Sequence, residues 1–210
     1  NSSKKNNSSN LVLFVDEKFN ISNLKKHLSS FDHSFISDLL KTKDLKKKIL
    51  SFDVNSKKKI ILVSLKNNLK NSEVENLGAK FYDTFKDISQ NNFTINSDSV
   101  SRQFNNIVGY FLHGLKLKSY TFNKYKSKKN KKNIFINIIG KNKPTSKDQI
   151  KFRAIEEGTF YARDLVSEPG NILHPDEYAK RLKLLKKIGL KINIYDEKKL
   201  KKLGMNTLLG

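Results

Sequence analysis

Short apolar runs that alternate between the spacing of strands and the spacing of helices constrain this chain most. Leu11–Asp16 and Lys59–Leu65 are compact apolar runs of the kind found in buried strands, whereas Phe31–Lys41 places its apolar residues at helical intervals. Strands that alternate with helices between residues 11 and 144 predict an α/β layer structure with a mainly parallel or mixed sheet.

The same patterns predict the other elements of this region. Strands are expected at Lys48–Asp53, Phe93–Ile95 and Lys131–Ile139, the last as a central strand, and helices from Asn20 or Ser22 to Leu28, from Ser72 to Ile88 and from Ser99 or Ser101 to Lys116. Ser72 followed by Glu75 has the pattern of a capping box. The link at Asn55 and Ser56 predicts a hairpin between two of the strands.

A turn that contains Pro144 marks the expected boundary of this first domain. Thr145 or Ser146 can cap a long helix, Lys147–Val166, which must end before Pro169 because proline cannot continue it. Beyond it the sequence predicts a helix at Asp176–Ile188, a strand at Lys191–Tyr195 and a helix at Asp196–Leu203.

The expected organisation is therefore a disordered lead-in at residues 1–10, an N-terminal α/β domain at 11–144, a connecting helix at 145–169 and the first βα elements of a second α/β domain at 170–210. The chain starts at Asn1 rather than Met and stops at Gly210, directly after a helix-like pattern. We expect it to be a fragment of a longer protein.

The net charge of +22 suggests a nucleic-acid-binding module as an alternative function, because lysine and arginine neutralise phosphates. The positive charge is almost entirely lysine, however, and the arginines are limited to Arg102, Arg153, Arg163 and Arg181. Arginine is the residue that contacts guanine and phosphate with two hydrogen bonds. The composition therefore favours a lysine-rich solvated surface, and nucleic acid is a less favoured partner.

The chain has no cysteine, so neither a disulfide framework nor a thiolate metal site is available. Its first apolar run, Leu11–Val15, is too short for a signal-peptide core or a membrane-spanning helix, and no longer run follows. These features predict a soluble, cytoplasmic protein that does not enter the membrane.

Motif searches find no catalytic, metal-binding or substrate-binding constellation. The four histidines, His27, His33, His113 and His174, do not occur at a metal-ligand spacing. His174 and Glu177 form a lone H-x-x-E, which is better explained by acidic residues in the first turn of a helix. Adjacent carboxylates such as Glu156 and Glu157 point in different directions on a helix and do not form an acid/base pair.

Three weaker candidates have structural explanations too. Arg163–Asp164 lies near the domain junction, where an ion pair could set the geometry of the domains. Ser22–Lys25 matches S-x-x-K, but the companion motifs of that site are missing. The aromatic and lysine residues of Tyr120–Lys126 could stack on single-stranded nucleic acid, although an aromatic-rich edge segment is the simpler interpretation.

The segment from Tyr161 to Pro175, YARDLVSEPGNILHP, resembles the domain-junction signature of leucyl (cytosol) aminopeptidases, approximately A-R-D-L-x-N, a nearby Pro, and N-x-L-x-P. Gly114–Lys126 resembles that family's G-L-x-L-x-S-Y-x-F-x-K-Y-K segment. The resemblance covers most of residues 75–210. It departs from the family pattern at Ser167, Gly170 and His174.

The resemblance implies a macro-like N-terminal α/β domain, a connecting helix and a catalytic domain that hydrolyses N-terminal residues from peptides. It also implies two bridged divalent metal ions, zinc or manganese, and a homo-hexamer in the full-length protein. The family's metal ligands and catalytic Lys and Arg occur in motifs that are absent here. No catalytic, metal-binding or substrate-binding residue can therefore be assigned, and we expect this fragment to bind no metal and to be inactive.

Overall fold

A five-stranded mixed sheet forms the centre of the first part of the chain in the computed structural model. Its strands are β1 (Asn10–Asp16), β2 (Ile49–Asn55), β3 (Lys58–Leu65), β4 (Asn92–Asn96) and β5 (Phe135–Ile139). They lie in the order β2-β3-β1-β4-β5. β1 is parallel to β3 and β4, β5 is parallel to β4, and β2 forms an antiparallel hairpin with β3. The predicted α/β class, mixed sheet and hairpin are confirmed.

The structure describes residues 10–100, 106–127 and 133–209. These fall into two compact units, one up to Phe160 and one from Tyr161 onward. The lead-in expected at residues 1–10 lies outside the described residues except for Asn10. Asn10 belongs to β1, where its side chain donates to the Gln90 carbonyl and accepts from the Lys59 backbone N–H.

Helices cover both faces of the sheet because successive side chains of a strand point to opposite sides. Val12 and Phe14 of β1 face α2 (Asn71–Phe85) and α3 (Ile107–Lys118) in one hydrophobic core. Leu13 and Val15 face the opposite core, which contains Ile36 of α1 (Ser30–Leu40) and Leu24 of a 3₁₀ helix at Ser22–Leu24. Both cores are built on β1, which explains why its apolar run is continuous.

Two glycines allow α2 and α3 to lie in backbone contact. A Cβ atom at Gly114 would lie 1.9 Å from the Glu75 carbonyl oxygen, and one at Gly78 would lie 1.9 Å from the Phe111 carbonyl oxygen. No side chain fits at either position, so the sequence needs glycine at both for this packing.

Three expected elements differ in the structure. Lys131–Ile139 is not central: β5 is an edge strand, with Phe135 and Ile139 more than one-third exposed. The helix expected from Ser99 or Ser101 starts at Ile107; Ser97–Ser99 is instead a 3₁₀ helix in which Ser97 Oγ donates to the Ile139 carbonyl. Residues 101–105 lie outside the described residues.

The helix after β3 begins earlier than its sequence pattern predicts. Glu73, not Glu75, accepts a hydrogen bond from the backbone N–H of Lys70 at 2.8 Å, so the predicted capping box at Ser72 and Glu75 is wrong. Lysine has no acceptor with which to complete the reciprocal bond. Near the N-terminus, the short helix expected to reach Leu28 is only the 3₁₀ helix Ser22–Leu24 followed by turns.

The long helix is present as α4 (Ser146–Ser167), and the division between the two units falls within it. Thr145 caps it: its Oγ1 accepts from the Asp148 N–H at 3.1 Å, and Asp148 accepts from the Thr145 N–H at 3.2 Å. This reciprocal pair matches the predicted helix start. The boundaries expected at 144/145 and 169/170 remain predictions.

The second unit contains α5 (Pro175–Lys183), a 3₁₀ helix (Leu184–Ile188) and α6 (Glu197–Lys202). Gly189 and Gly204 end these helices at positive φ, as their positions in the sequence indicate. The strand expected at Lys191–Tyr195 is absent, because this unit has no described strand with which it could pair. No helix among the described residues has the length and apolarity needed to cross a bilayer.

Candidate functional site

A cavity of about 720 Å³ lies at the carboxyl end of the parallel strands. Asp16 ends β1, Leu65 ends β3, and Lys141 follows β5, and all three residues line the cavity. The segment after β4 contributes Asp98 and Ser99. Parallel strands bring these residues together because their carboxyl ends meet at one edge of a sheet.

The cavity lies where the chain leaves two neighbouring strands towards opposite faces. After β1 the chain runs to α1, which packs on one face of the sheet. After β4 it runs to α3, which packs on the other face. In open α/β sheets such a switch between adjacent strands is the usual position of a ligand site. We therefore call this cavity the switch-point cleft.

The hydrogen bonds of Asn96 determine which ring nitrogen of His27 carries the proton in the neutral imidazole. Asn96 Oδ1 accepts from the Asp98 backbone N–H at 3.0 Å, so its Nδ2 faces His27 Nδ1, also at 3.0 Å. Because Nδ2 is a donor, Nδ1 of the neutral ring must accept and the proton lies on Nε2. His27 Nε2 is buried and has no hydrogen-bond partner among the described residues.

Burial lowers the pKa of His27 below its ordinary value, and the nearby Lys26 ammonium lowers it further, while Asp98 partly opposes both effects. We expect a histidine NMR titration to give a pKa below about 6.5, the ordinary value for this side chain. A lowered pKa in the folded chain means that His27 binds a proton more readily in the unfolded chain. Its contribution to the free energy of unfolding is therefore fully present above pH ~6.5 and is lost as the pH falls below that value. The spectrum of His27→Gln would assign the signal, and a value at or above 6.5 would contradict the described environment.

Two carboxylates in the cleft are held by backbone amides. Asp98 Oδ1 accepts from the Lys141 N–H at 2.7 Å and the Asn142 N–H at 3.4 Å, and the hydrogen bond from Lys141 chiefly lowers its pKa. Asp16 Oδ1 accepts from the N–H groups of Lys18 and Asn20. Both carboxylates are thus held in a fixed orientation, and each has a second oxygen with which to accept.

A second candidate is a buried pair between α3 and α4. His113 is 4% exposed, its Nδ1 lies 3.0 Å from Glu156 Oε1, and its ring stacks on Phe152 at 4.9 Å between centroids. A small cavity of about 210 Å³ adjoins the pair. The pair joins α4 to α3, which is a structural role.

We expect Glu156→Ala to lower the free energy of unfolding by about 1–3 kcal/mol, because it leaves a buried imidazole nitrogen without its partner. The neighbouring Glu157 is exposed, so Glu157→Ala is a matched control with an expected change within about 0.5 kcal/mol. Urea denaturation followed by circular dichroism measures both variants. Equal losses of unfolding free energy in Glu156→Ala and Glu157→Ala would show that the His113–Glu156 contact does not stabilise the fold.

The junction segment contains an ion-pair cluster that the sequence did not reveal. Arg181 donates to Glu168 and to Glu177, both at 2.9 Å, and the Glu168 side chain is only 2% exposed. The i,i+4 spacing of Glu177 and Arg181 is the sequence pattern that could have predicted their ion pair. Glu177 lies in the first turn of α5 and pairs with Arg181, an arrangement that agrees with the interpretation of His174 and Glu177 as residues of a helix start.

The remaining candidates do not converge on a site. Tyr120 packs on Phe160 at 5.3 Å and Phe122 on Tyr125 at 5.8 Å, in a segment that is not a strand. Within residues 10–100, 106–127 and 133–209, no three His, Asp or Glu side chains lie close enough to hold a metal ion.

Comparisons with known proteins identify the fold and a similar family. Residues 160–210 match the cytosol aminopeptidase family, catalytic domain. The probable cytosol aminopeptidase of Sinorhizobium medicae is 38% identical over 108 residues, which are 48% of this chain and 22% of that protein. The chain spans about a fifth of the length of the curated relatives it matches.

Solved structures share the fold. A mutant of tomato leucine aminopeptidase superposes with a TM-score of 0.70 at 19% identity, covering 94% of this chain and 43% of that chain. The bottromycin maturation enzyme BotP in complex with Mn gives a TM-score of 0.64 at 14% identity, with 94% and 40% covered. The chain is thus an α/β protein of a peptidase family. The sequence match at residues 160–210 and the shared fold both support the leucyl, or cytosol, aminopeptidase family.

Proposed function

We propose that this chain is the N-terminal domain, connecting helix and beginning of the catalytic domain of a metal-dependent leucyl aminopeptidase. The parent enzyme hydrolyses N-terminal residues from peptides. The observation that carries the proposal is the match of residues 160–210 to the catalytic domain of the family. Its length supports it as well, since the chain covers 43% of the tomato enzyme's chain.

The catalytic domain of the parent enzyme would hold two divalent metal ions, zinc or manganese, for which the manganese complex of the similar enzyme BotP is support. Paired metal ions activate water and stabilise the charge that develops during hydrolysis. The described residues offer no group of ligands that fits such ions, so no catalytic step is assigned to them. We place the metal ligands in parts of the catalytic domain outside residues 160–210.

The exposed apolar side chains of the second unit agree with this placement. Ile188, Leu190 and Ile194 are each about half exposed or more, and no side chain of α5 or α6 is buried. A helix with an apolar side normally buries it against another element. We propose that the rest of the catalytic domain covers these residues and supplies the sheet to which Lys191–Tyr195 adds a strand.

An activity assay tests the proposal that these residues lack the catalytic machinery. The purified chain is incubated with leucine p-nitroanilide and Mn²⁺ or Zn²⁺, with tomato leucine aminopeptidase as the active control. We expect no metal-stimulated turnover. Turnover that rises with metal and falls with a chelator would place the active site within this chain and overturn the assignment.

Two further properties of the parent enzyme are proposed from the family. We infer that the parent enzyme works in the cytosol, in line with the names of the cytosol aminopeptidases that the chain matches, and we propose a homo-hexamer from the family resemblance alone. Native mass spectrometry of the full-length enzyme tests the assembly, and a mass other than six subunits would exclude it.

The second candidate function is nucleic-acid binding, which the net charge of +22 favours. Binding through phosphates weakens steeply with salt, because counterions are released. Fluorescence anisotropy with labelled duplex DNA distinguishes the two interpretations of the charge. We expect no binding at physiological salt; tight binding with a steep salt slope would support the nucleic-acid module.

A further inference from the structure

The switch-point cleft carries balanced charges in a strongly basic protein. Asp16 and Asp98 contribute two negative charges, and Lys26 and Lys141 contribute two positive charges. His27 is neutral at pH 7 because its pKa is lowered. The chain as a whole carries +22, so a lining with no net charge differs from the average surface. Such a lining matches a ligand that carries both signs and no net charge.

The chemistry of the cleft supplies a partner for each end of such a ligand. The carboxylates of Asp16 and Asp98 are held in place by backbone amides and can accept from an ammonium group. The ammonium groups of Lys26 and Lys141 can pair with a carboxylate.

Size and lining restrict the ligand further. A cavity of about 720 Å³ accommodates more than a single amino acid and falls within the range of about 300–1,000 Å³ for ligand sites. Leu24, Leu65 and Val100 add an apolar part to its wall. A nucleoside phosphate would bring net negative charge to a lining of zero net charge, so it is a poorer match than a zwitterion.

We propose that the switch-point cleft binds short peptides with free termini, the peptide ammonium at the Asp16 and Asp98 carboxylates and the peptide carboxylate at Lys26 and Lys141. This site lies in the first unit and takes part in no chemical step. The ligand follows from the charges and size of the cleft, so its binding can be measured without any aminopeptidase activity.

NMR titration of the ¹⁵N-labelled chain tests the proposal with three probes: Leu-Gly-Gly, the same tripeptide acetylated and amidated at its ends, and AMP. We expect saturable shifts for Leu-Gly-Gly, centred on the amides of His27, Asp98 and Lys141. Removing both terminal charges should weaken binding by about tenfold or more, equivalent to about 1.4 kcal/mol.

Charge-removing variants identify the contacts. Asp98→Asn retains the oxygen that accepts from the backbone amides, and Lys26→Gln changes an exposed side chain, so both should fold. Each is expected to lower the affinity for Leu-Gly-Gly about tenfold. Lys147 is also exposed but lies outside the cleft, so Lys147→Gln should leave the affinity unchanged.

Three results would overturn the proposal: no saturable shift with Leu-Gly-Gly, equal affinity for the capped tripeptide, or AMP binding in the cleft more tightly than the peptide. Loss of affinity in Lys147→Gln equal to that in Lys26→Gln would show a non-specific charge effect and would also overturn it. None of these results bears on the proposed aminopeptidase family function, which the activity assay tests separately.

Discussion

Replacing Phe81 with alanine is expected to lower the free energy of unfolding by about 3–5 kcal/mol, a large part of the ~5–15 kcal/mol typical of a domain. Phe81 is fully buried, and its ring lies 4.7 Å from Phe85, 5.2 Å from Phe93 and 5.4 Å from Phe111 between centroids. These contacts join α2, α3 and β4. The substitution leaves a cavity where all three elements meet, and the surrounding rings cannot close it completely.

Phe31→Ala is the matched control, because Phe31 is also on a helix but is 72% exposed. Its expected change is within about 0.5 kcal/mol. The chain has no tryptophan, so urea unfolding followed by far-ultraviolet circular dichroism is the measurement. Similar losses in both variants would show that the aromatic cluster does not form the core of this unit.

Gly114→Ala is expected to destabilise the chain by about 3 kcal/mol or more, the upper range for overpacked sites. The added Cβ would lie 1.9 Å from the Glu75 carbonyl oxygen, and that oxygen is backbone, so it cannot move aside as a flexible side chain could. The two helices must separate, which also loosens the contact at Gly78 on the facing helix. Gly78→Ala should give a loss of similar size for the same reason.

Gly158→Ala is the control, and we expect it to raise the free energy of unfolding rather than lower it. Gly158 lies in α4, and among the described residues no atom beyond its own helical turns lies within 4 Å of where an alanine Cβ would stand. Alanine therefore adds helix propensity without a clash, and we expect a gain of about 0.4–1 kcal/mol. If Gly114→Ala and Gly158→Ala changed the midpoint of urea unfolding in the same direction, the close packing of α2 and α3 would be wrong.

Local patterns in the sequence were sufficient for most of the elements. A cap at Thr145 or Ser146 predicted the start of α4, Gly189 marked the end of the 3₁₀ helix that follows α5, and the run from Leu11 to Asp16 predicted a strand. Each of these signals depends on a few neighbouring residues. The junction from Tyr161 to Pro175 indicated the family for the same reason, since it is a continuous segment.

The wrong predictions concern strands whose position or formation depends on another strand far away in the sequence. The apolar run in β5 was expected to be central, but the order of strands leaves it at the edge, and no local pattern encodes that order. Lys191–Tyr195 has a strand-like sequence and no strand beside it among the described residues. A strand requires hydrogen bonds from another strand, so its sequence alone cannot determine it.

The sequence by itself determined the α/β class, the long helix and the resemblance to a family, because these depend on periodicity and on continuous segments. Only the tertiary structure revealed the switch-point cleft, which brings Asp16, His27, Asp98 and Lys141 to one edge of the sheet from positions far apart in the chain. It also decided which nitrogen of His27 carries the proton, through Asn96 at the end of β4. Both outcomes follow from parallel strands whose carboxyl ends meet, an arrangement that only the folded sheet creates.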